Sequence, residues 1–239
     1  MALLMQGMRQ ELTGYLTRLV IRPSVAQELF QATAVRALEA LNSAPKAEAE
    51  LRPWLFRIAT NLGIDELRRH GAWREELMLD ARKAAESSTS FMDGLADYRG
   101  NPETAAVARE HLAICFSCTL GQLPPEHGAA LLLTEVYGFG VQETADVMQA
   151  RFAQVKYFIQ QARAAMQKKY AATCALIAKQ GVCYQCVELD GFFAANQGNP
   201  LAGTAADVDA RLAVLKSLRS HPPGVWHHRL MVIFDELSA

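Results

Sequence analysis

Residues 51–70 read LRPWLFRIATNLGIDELRRH. The apolar positions Trp54, Leu55, Ile58, Leu62, Ile64 and Leu67 recur at helical spacing, which predicts one buried stripe along a helix. Arg57, Asn61, Arg68 and Arg69 fall off that stripe. Guanidinium groups meet phosphates and a carboxamide reads base edges, so this polar face suits nucleic-acid contact. An aromatic and an amide beside a basic face also suit unstacked single-stranded bases.

Outward from this segment the helical period persists. Leu29, Thr33, Arg36, Ala37, Ala40 and Leu41 follow the polar Ser24 and Gln27 at helical spacing. Strand signals are nearly absent, and prolines at 23, 45, 53, 102, 124, 125, 200, 222 and 223 punctuate the segments. These features predict an all-α protein. With 239 residues there is room for two or three small domains.

Composition narrows the function classes. Hydrophobic residues make up 51 % and charged residues 21 %, the balance of a globular rather than a disordered chain. A net charge of −1 argues against indiscriminate coating of nucleic acid. No apolar run reaches the length of a membrane span and no targeting segment is evident, so a cytoplasmic protein is expected. Five cysteines, an odd number, do not suggest a disulfide framework. No Walker-type glycine loop, Ser/His/Asp set or strand–helix alternation can be placed, so no enzyme is expected.

Charge is distributed unevenly. From Glu75 to Glu110 there are eight acidic and four basic residues, with Ser87, Ser88 and Ser90 between them, which reads as a solvated linker. Residues 151–170 reverse this pattern, with Arg151, Lys156, Arg163, Lys168 and Lys169 and no acid. Leu123-Pro124-Pro125-Glu126 opens the segment before it, and Pro125 fits a first helical turn. An apolar helix over 129–137, then Gly138 and two short helices near 141–148 and 154–167, have helix-turn-helix layout.

Residues 51–70 resemble region 2 of the extracytoplasmic-function sigma factors, through Trp54, Leu55, Phe56, Arg57, Ile58, Ala59, Asn61, Asp65, Arg68 and Arg69. Residues 26–38 (AQELFQATAVRAL) are similar to that family's polymerase-binding helix. There Gln27, Glu28 and Ala32 replace acids or a shorter acid, which implies weaker core binding. Residues 123–166 resemble sigma region 4, with Gln149 where the turn usually holds glycine. The family resemblance implies core RNA polymerase and promoter DNA as partners, and admits an anti-sigma protein. It implies polymerase contact at Glu28, Leu29, Gln31 and Arg36. It implies −10 element contact at Trp54, Arg57, Asn61, Arg68 and Arg69, and −35 element contact at Arg151, Gln154, Lys156, Tyr157 and Arg163. The alternative is a helix-turn-helix regulator acting without polymerase core.

The expected organisation is region 2 over 1–74, an acidic linker over 75–108, region 4 over 109–170 and a regulatory extension over 171–239. That extension holds Cys174, Cys183 and Cys186, followed by His221, His227 and His228. Zinc ligation, a redox-switchable disulfide and simple burial stay open for these thiols, and no cofactor is required. Val208, Leu212, Leu215 and Leu218 predict an amphipathic helix within the extension.

Overall fold

The computed structural model describes residues 2–70, 104–173 and 208–219, with residues 80, 84, 87 and 89 between them. The helices are α1 (Ala2–Val20), α2 (Pro23–Glu39), α3 (Glu48–His70), α4 (Thr104–Leu120), α5 (Pro125–Leu131), α6 (Val141–Met148), α7 (Phe152–Thr173) and α8 (Val208–Ser217). No strand occurs among the described residues, and the fold is all-α as expected. The chain divides into two compact units. One comprises residues 1–72, 123–163 and 219–222; the other comprises 73–122, 164–218 and 223–239.

In the first unit α1, α2 and α3 pack against one another. Leu12, Tyr15, Leu16 and Leu19 of α1 are buried, as are Leu55, Phe56, Ala59, Leu62, Ile64 and Leu67 of α3. Each such aliphatic side chain, fully withdrawn from water, contributes about 1.5–3 kcal/mol. Gly63 permits the close approach: a Cβ there would lie 2.6 Å from Leu19 Cδ2. Within this core Tyr15 and Thr60 satisfy each other's hydroxyls at 2.9 Å.

The chain reverses between α1 and α2 through Ile21, which holds φ at 70°. A β-branched residue there costs about 1–2 kcal/mol. Ile21 is fully buried, and that burial offsets the strain. Pro53 lies inside α3, which runs through it. Proline there removes one backbone bond, and the buried stripe that follows it, from Leu55 and Phe56 to Leu67, holds the helix in place.

The same unit contains α5, a wider π turn over Leu132–Val136, α6 and the start of α7. The single helix expected over 129–137 is thus divided. Tyr137 N donates to Leu132 O at 3.0 Å, while Thr134 Oγ1 takes the Ala130 carbonyl at 2.7 Å. A side-chain hydroxyl competing for a backbone acceptor favours such widening. Ala130, Ala145 and Val155 form a small core flanked by Val141, Met148, Ala150, Phe158 and Ile159.

In the second unit α8 packs against α4. Val208, Leu212 and Leu215 are buried on the predicted face, and Leu218 is partly buried. Arg211, unremarked in the sequence, is fully buried: its guanidinium lies 4.0 Å from the Tyr170 ring centroid and donates to Cys115 Sγ at 3.8 Å. Cys118 is buried, and burial pushes its thiol pKa well up, which disfavours the reactive thiolate.

Candidate nucleic-acid interface

Two surfaces carry the residues singled out above. On α3, Trp54, Arg57, Asn61 and Arg68 follow one another at spacings of three, four and seven, which places them on one side of the helix. Trp54, Arg57 and Asn61 are partly buried, while Arg68 and Arg69 are exposed. The Arg57 Nε is buried without a hydrogen-bond partner. Arg69 pairs with Glu66 at 2.8 Å, and His70 Nδ1 lies 3.1 Å from the same carboxylate.

The second surface is the helix-turn-helix. Val141 starts α6 with Glu143 Oε2 accepting from Gly140 N at 2.7 Å, one half of a capping box. Gln149 ends that helix at φ 51°, ψ 40°, so the left-handed turn expected here is adopted without glycine. The next helix begins at Phe152, two residues before the expected start. Gln154 explains the earlier start: its Oε1 accepts from Arg151 N at 3.0 Å and from Arg151 Nε at 3.1 Å, capping the helix.

Arg151, Lys156 and Tyr157 are exposed at the start of α7. Lys156 Nζ lies 5.6 Å from the Phe152 ring centroid. Arg163 is partly buried and donates to Glu135 at 3.0 Å. The His127 ring lies 5.1 Å from that of Phe158 and 6.0 Å from that of Tyr157. Partial burial holds its pKa below 6.5 despite Glu126 beside it.

Of the residues expected on the polymerase side, Glu28, Gln31 and Arg36 are exposed on α2. Leu29 instead packs into the core. Val35, Leu38 and Leu41 are large apolar side chains left exposed on and just after this helix. Cys174, Cys183 and Cys186 lie outside the described residues. Among the described residues no group of histidines, cysteines and carboxylates has the arrangement of a metal site.

The two surfaces meet within the first unit. Arg68 Nη2 donates to Glu126 Oε1 at 2.6 Å, and Asn61 Nδ2 donates to Gln149 Oε1 at 3.5 Å. Beside them Phe56 packs on Tyr137 and Phe139, and Tyr15 packs on Tyr137. Arg52 donates to both Glu11 oxygens and to the Tyr137 carbonyl, with its guanidinium 4.1 Å from the Phe139 ring centroid. Sequence reading missed this aromatic seam; the only advance signal is the pairing of Arg52 and Phe56 four residues apart on α3.

Residues 4–73 match the family described as Sigma-70 region 2, so the three-helix part of the first unit is a sigma region 2 domain. Over 171 residues the chain is 30 % identical to the ECF RNA polymerase sigma factor SigG of Mycobacterium tuberculosis, covering 66 % of this chain and 45 % of SigG. It is 29 % identical over 169 residues to the RNA polymerase sigma-H factor of Pseudomonas aeruginosa, covering 70 % of this chain and 83 % of that protein. The ECF RNA polymerase sigma-E factor of Haemophilus influenzae is 27 % identical over 172 residues, covering 70 % and 85 %. The chain thus spans about half the length of SigG and most of the other two. It is similar to proteins named as RNA polymerase sigma factors, the extracytoplasmic-function type among them. No helix among the described residues is long and apolar enough to cross a membrane.

Proposed function

We propose that this chain is a transcription initiation factor that binds core RNA polymerase and directs it to particular promoters in the cytoplasm, without catalysing a reaction itself. The observation that carries this reading is the α3 face of Trp54, Arg57, Asn61 and Arg68 within a region 2 domain. Arg57, Arg68 and Arg69 would meet backbone phosphates, and Asn61 a −10 base. The exposed Arg151, Lys156 and Tyr157 at the start of α7 would enter the major groove of the −35 element. Glu28, Gln31 and Arg36 would face the polymerase, with Val35, Leu38 and Leu41 as neighbouring apolar surface.

Residues 171–239 are assigned a regulatory role, with an anti-sigma or other protein as partner. The relevant experiment mixes the full chain with bacterial core polymerase and assays co-elution and promoter-dependent transcription. Co-elution with transcription supports the reading. Duplex binding without any association with core would favour a helix-turn-helix regulator instead.

A further inference from the structure

Cys115 belongs to neither surface described above. It sits in the second unit, on α4, the helix against which α8 packs. Arg211 of α8 is fully buried there and donates from Nη1 to Cys115 Sγ at 3.8 Å, with its guanidinium 4.0 Å from the Tyr170 ring centroid. A guanidinium against sulfur favours the thiolate over the thiol, and the thiolate is the nucleophilic form.

Two neighbours do not carry that charge. Burial pushes the Cys118 thiol well up and does the same to the Tyr170 hydroxyl, so both stay protonated and neutral. Cys118 is 1 % exposed, whereas Cys115 keeps partial exposure. Three residues apart on one helix, the two thiols therefore differ in both charge and access. An accessible, charge-assisted thiolate beside an inert buried thiol is the setting of a site-selective reactive cysteine.

We propose that Cys115 is a reversible modification site for low-molecular-weight disulfides, and that its modification releases α8 from α4. The Cys115 thiolate attacks one sulfur of the disulfide. A new S–S bond forms to Cys115, the old one breaks, and the departing thiolate takes a proton from water. Cys115 is oxidised and the departing half is reduced, so no further reactant is needed. A free thiol reverses the exchange. The adduct has no room beside α8: Val208, Leu212 and Leu215 are buried in this packing, and a close-packed interior admits no extra group. It also removes a negative partner from the buried Arg211, which raises the cost of keeping that charge out of water. Both effects push α8 outward. Neither polymerase nor promoter enters this step, so it stands or falls apart from the proposed function.

The test uses the full chain and oxidised glutathione. Peptide mapping by mass spectrometry is expected to find Cys115 glutathionylated at least about tenfold faster than Cys118 in the folded chain, with the two rates converging in urea. An ultraviolet difference spectrum at neutral pH, wild type minus Cys115→Ser, is expected to show a thiolate band that Arg211→Met loses. Amide hydrogen exchange over 208–217 is expected to rise at least about tenfold once Cys115 is modified, and to stay unchanged in Cys115→Ser treated identically. Should Arg211→Met fail to fold, wild type and Cys115→Ser still decide the matter, because the thiolate band and the exchange readout need only those two proteins. Absence of the thiolate band from wild type overturns the proposal. So does equal reaction at Cys118 in the folded chain, or a Cys115 adduct that leaves exchange over 208–217 unaltered.

Discussion

Phe56 of α3 and Phe139, which follows the π turn, meet nearly edge to face with ring centroids 4.9 Å apart and planes at 62°. Such a pair contributes about 0.5–1.5 kcal/mol beyond the burial of its area. Burying each ring contributes a further ~1.5–3 kcal/mol. The neighbouring Arg68–Glu126 pair is short, but Arg68 is 60 % exposed, and exposed ion pairs contribute about 0–1 kcal/mol. Aromatic packing, not charge, therefore holds region 2 to the helix-turn-helix.

Truncation separates the two contributions. Phe139→Ala removes a buried ring and leaves a cavity, so a loss of about 3–5 kcal/mol is expected. Glu126→Gln is expected to cost under about 1 kcal/mol. Urea unfolding of the full chain followed by circular dichroism gives both values, and comparable costs would mean that the ion pair matters far more than its exposure implies.

At Gln149 the backbone is left-handed, where a Cβ is disfavoured. Gln149→Gly should relieve this strain and stabilise by up to about 1 kcal/mol, less whatever the contact with Asn61 contributes. The urea midpoint reads the sign directly. A lower midpoint would show that the side-chain contact outweighs the backbone strain.

Lys156 is exposed beside Arg151 and Tyr157, and among the described residues no acidic side chain pairs with it. Lys156→Ala should leave stability nearly unchanged. It should weaken binding of the polymerase-bound protein to different promoters about uniformly, and reduce the slope of log affinity against log salt by about 1. Titrations in increasing potassium chloride check this, and an unaltered slope would remove Lys156 from the phosphate-facing surface.

His127 gives stability an acid limb. Burial against Phe158 and Tyr157 lowers its pKa below 6.5, so the unfolded chain binds protons more readily than the folded one. Its contribution is therefore fully present above pH 6.5 and is lost as pH falls through the lowered value. His127→Gln should flatten that limb of the melting-temperature profile, whereas an identical profile would assign the acid sensitivity elsewhere. At the alkaline end, burial raises the Tyr15 pKa and pushes Tyr137 up to about 12. Their hydroxyls stay protonated in the fold, so stability is lost above about pH 10, where tyrosine in the unfolded chain ionises.

Helix content and the region 2 face were legible because both rest on local periodicity. Leu55, Leu62, Ile64 and Leu67 are buried where the stripe put them, and Arg68 and Arg69 lie outside it. The start of α7 was misjudged because Gln154 caps it through a side-chain bond, a contact no spacing rule encodes. Leu29 illustrates another limit: a residue matching a binding helix can belong to the face that packs inward. The seam was invisible because Tyr15 and Tyr137 lie 122 residues apart in sequence, and only tertiary packing brings their rings within 5.3 Å. Arg211 was hidden for the same reason, since an arginine on an amphipathic helix reads as solvated until Tyr170 and Cys115 surround it.

The central claim is that this chain is a promoter-specificity subunit of RNA polymerase. The most direct measurement is run-off transcription by purified core polymerase on a library of promoter fragments, with and without the full chain, alongside the Asn61→Ala variant. The account predicts transcripts that require the chain, start from a restricted set of fragments and fall at least about fivefold with Asn61→Ala, the scale of roughly 1–3 kcal/mol for a lost base contact. Transcription indifferent to the chain, under conditions where a known sigma factor activates the same core, would contradict it.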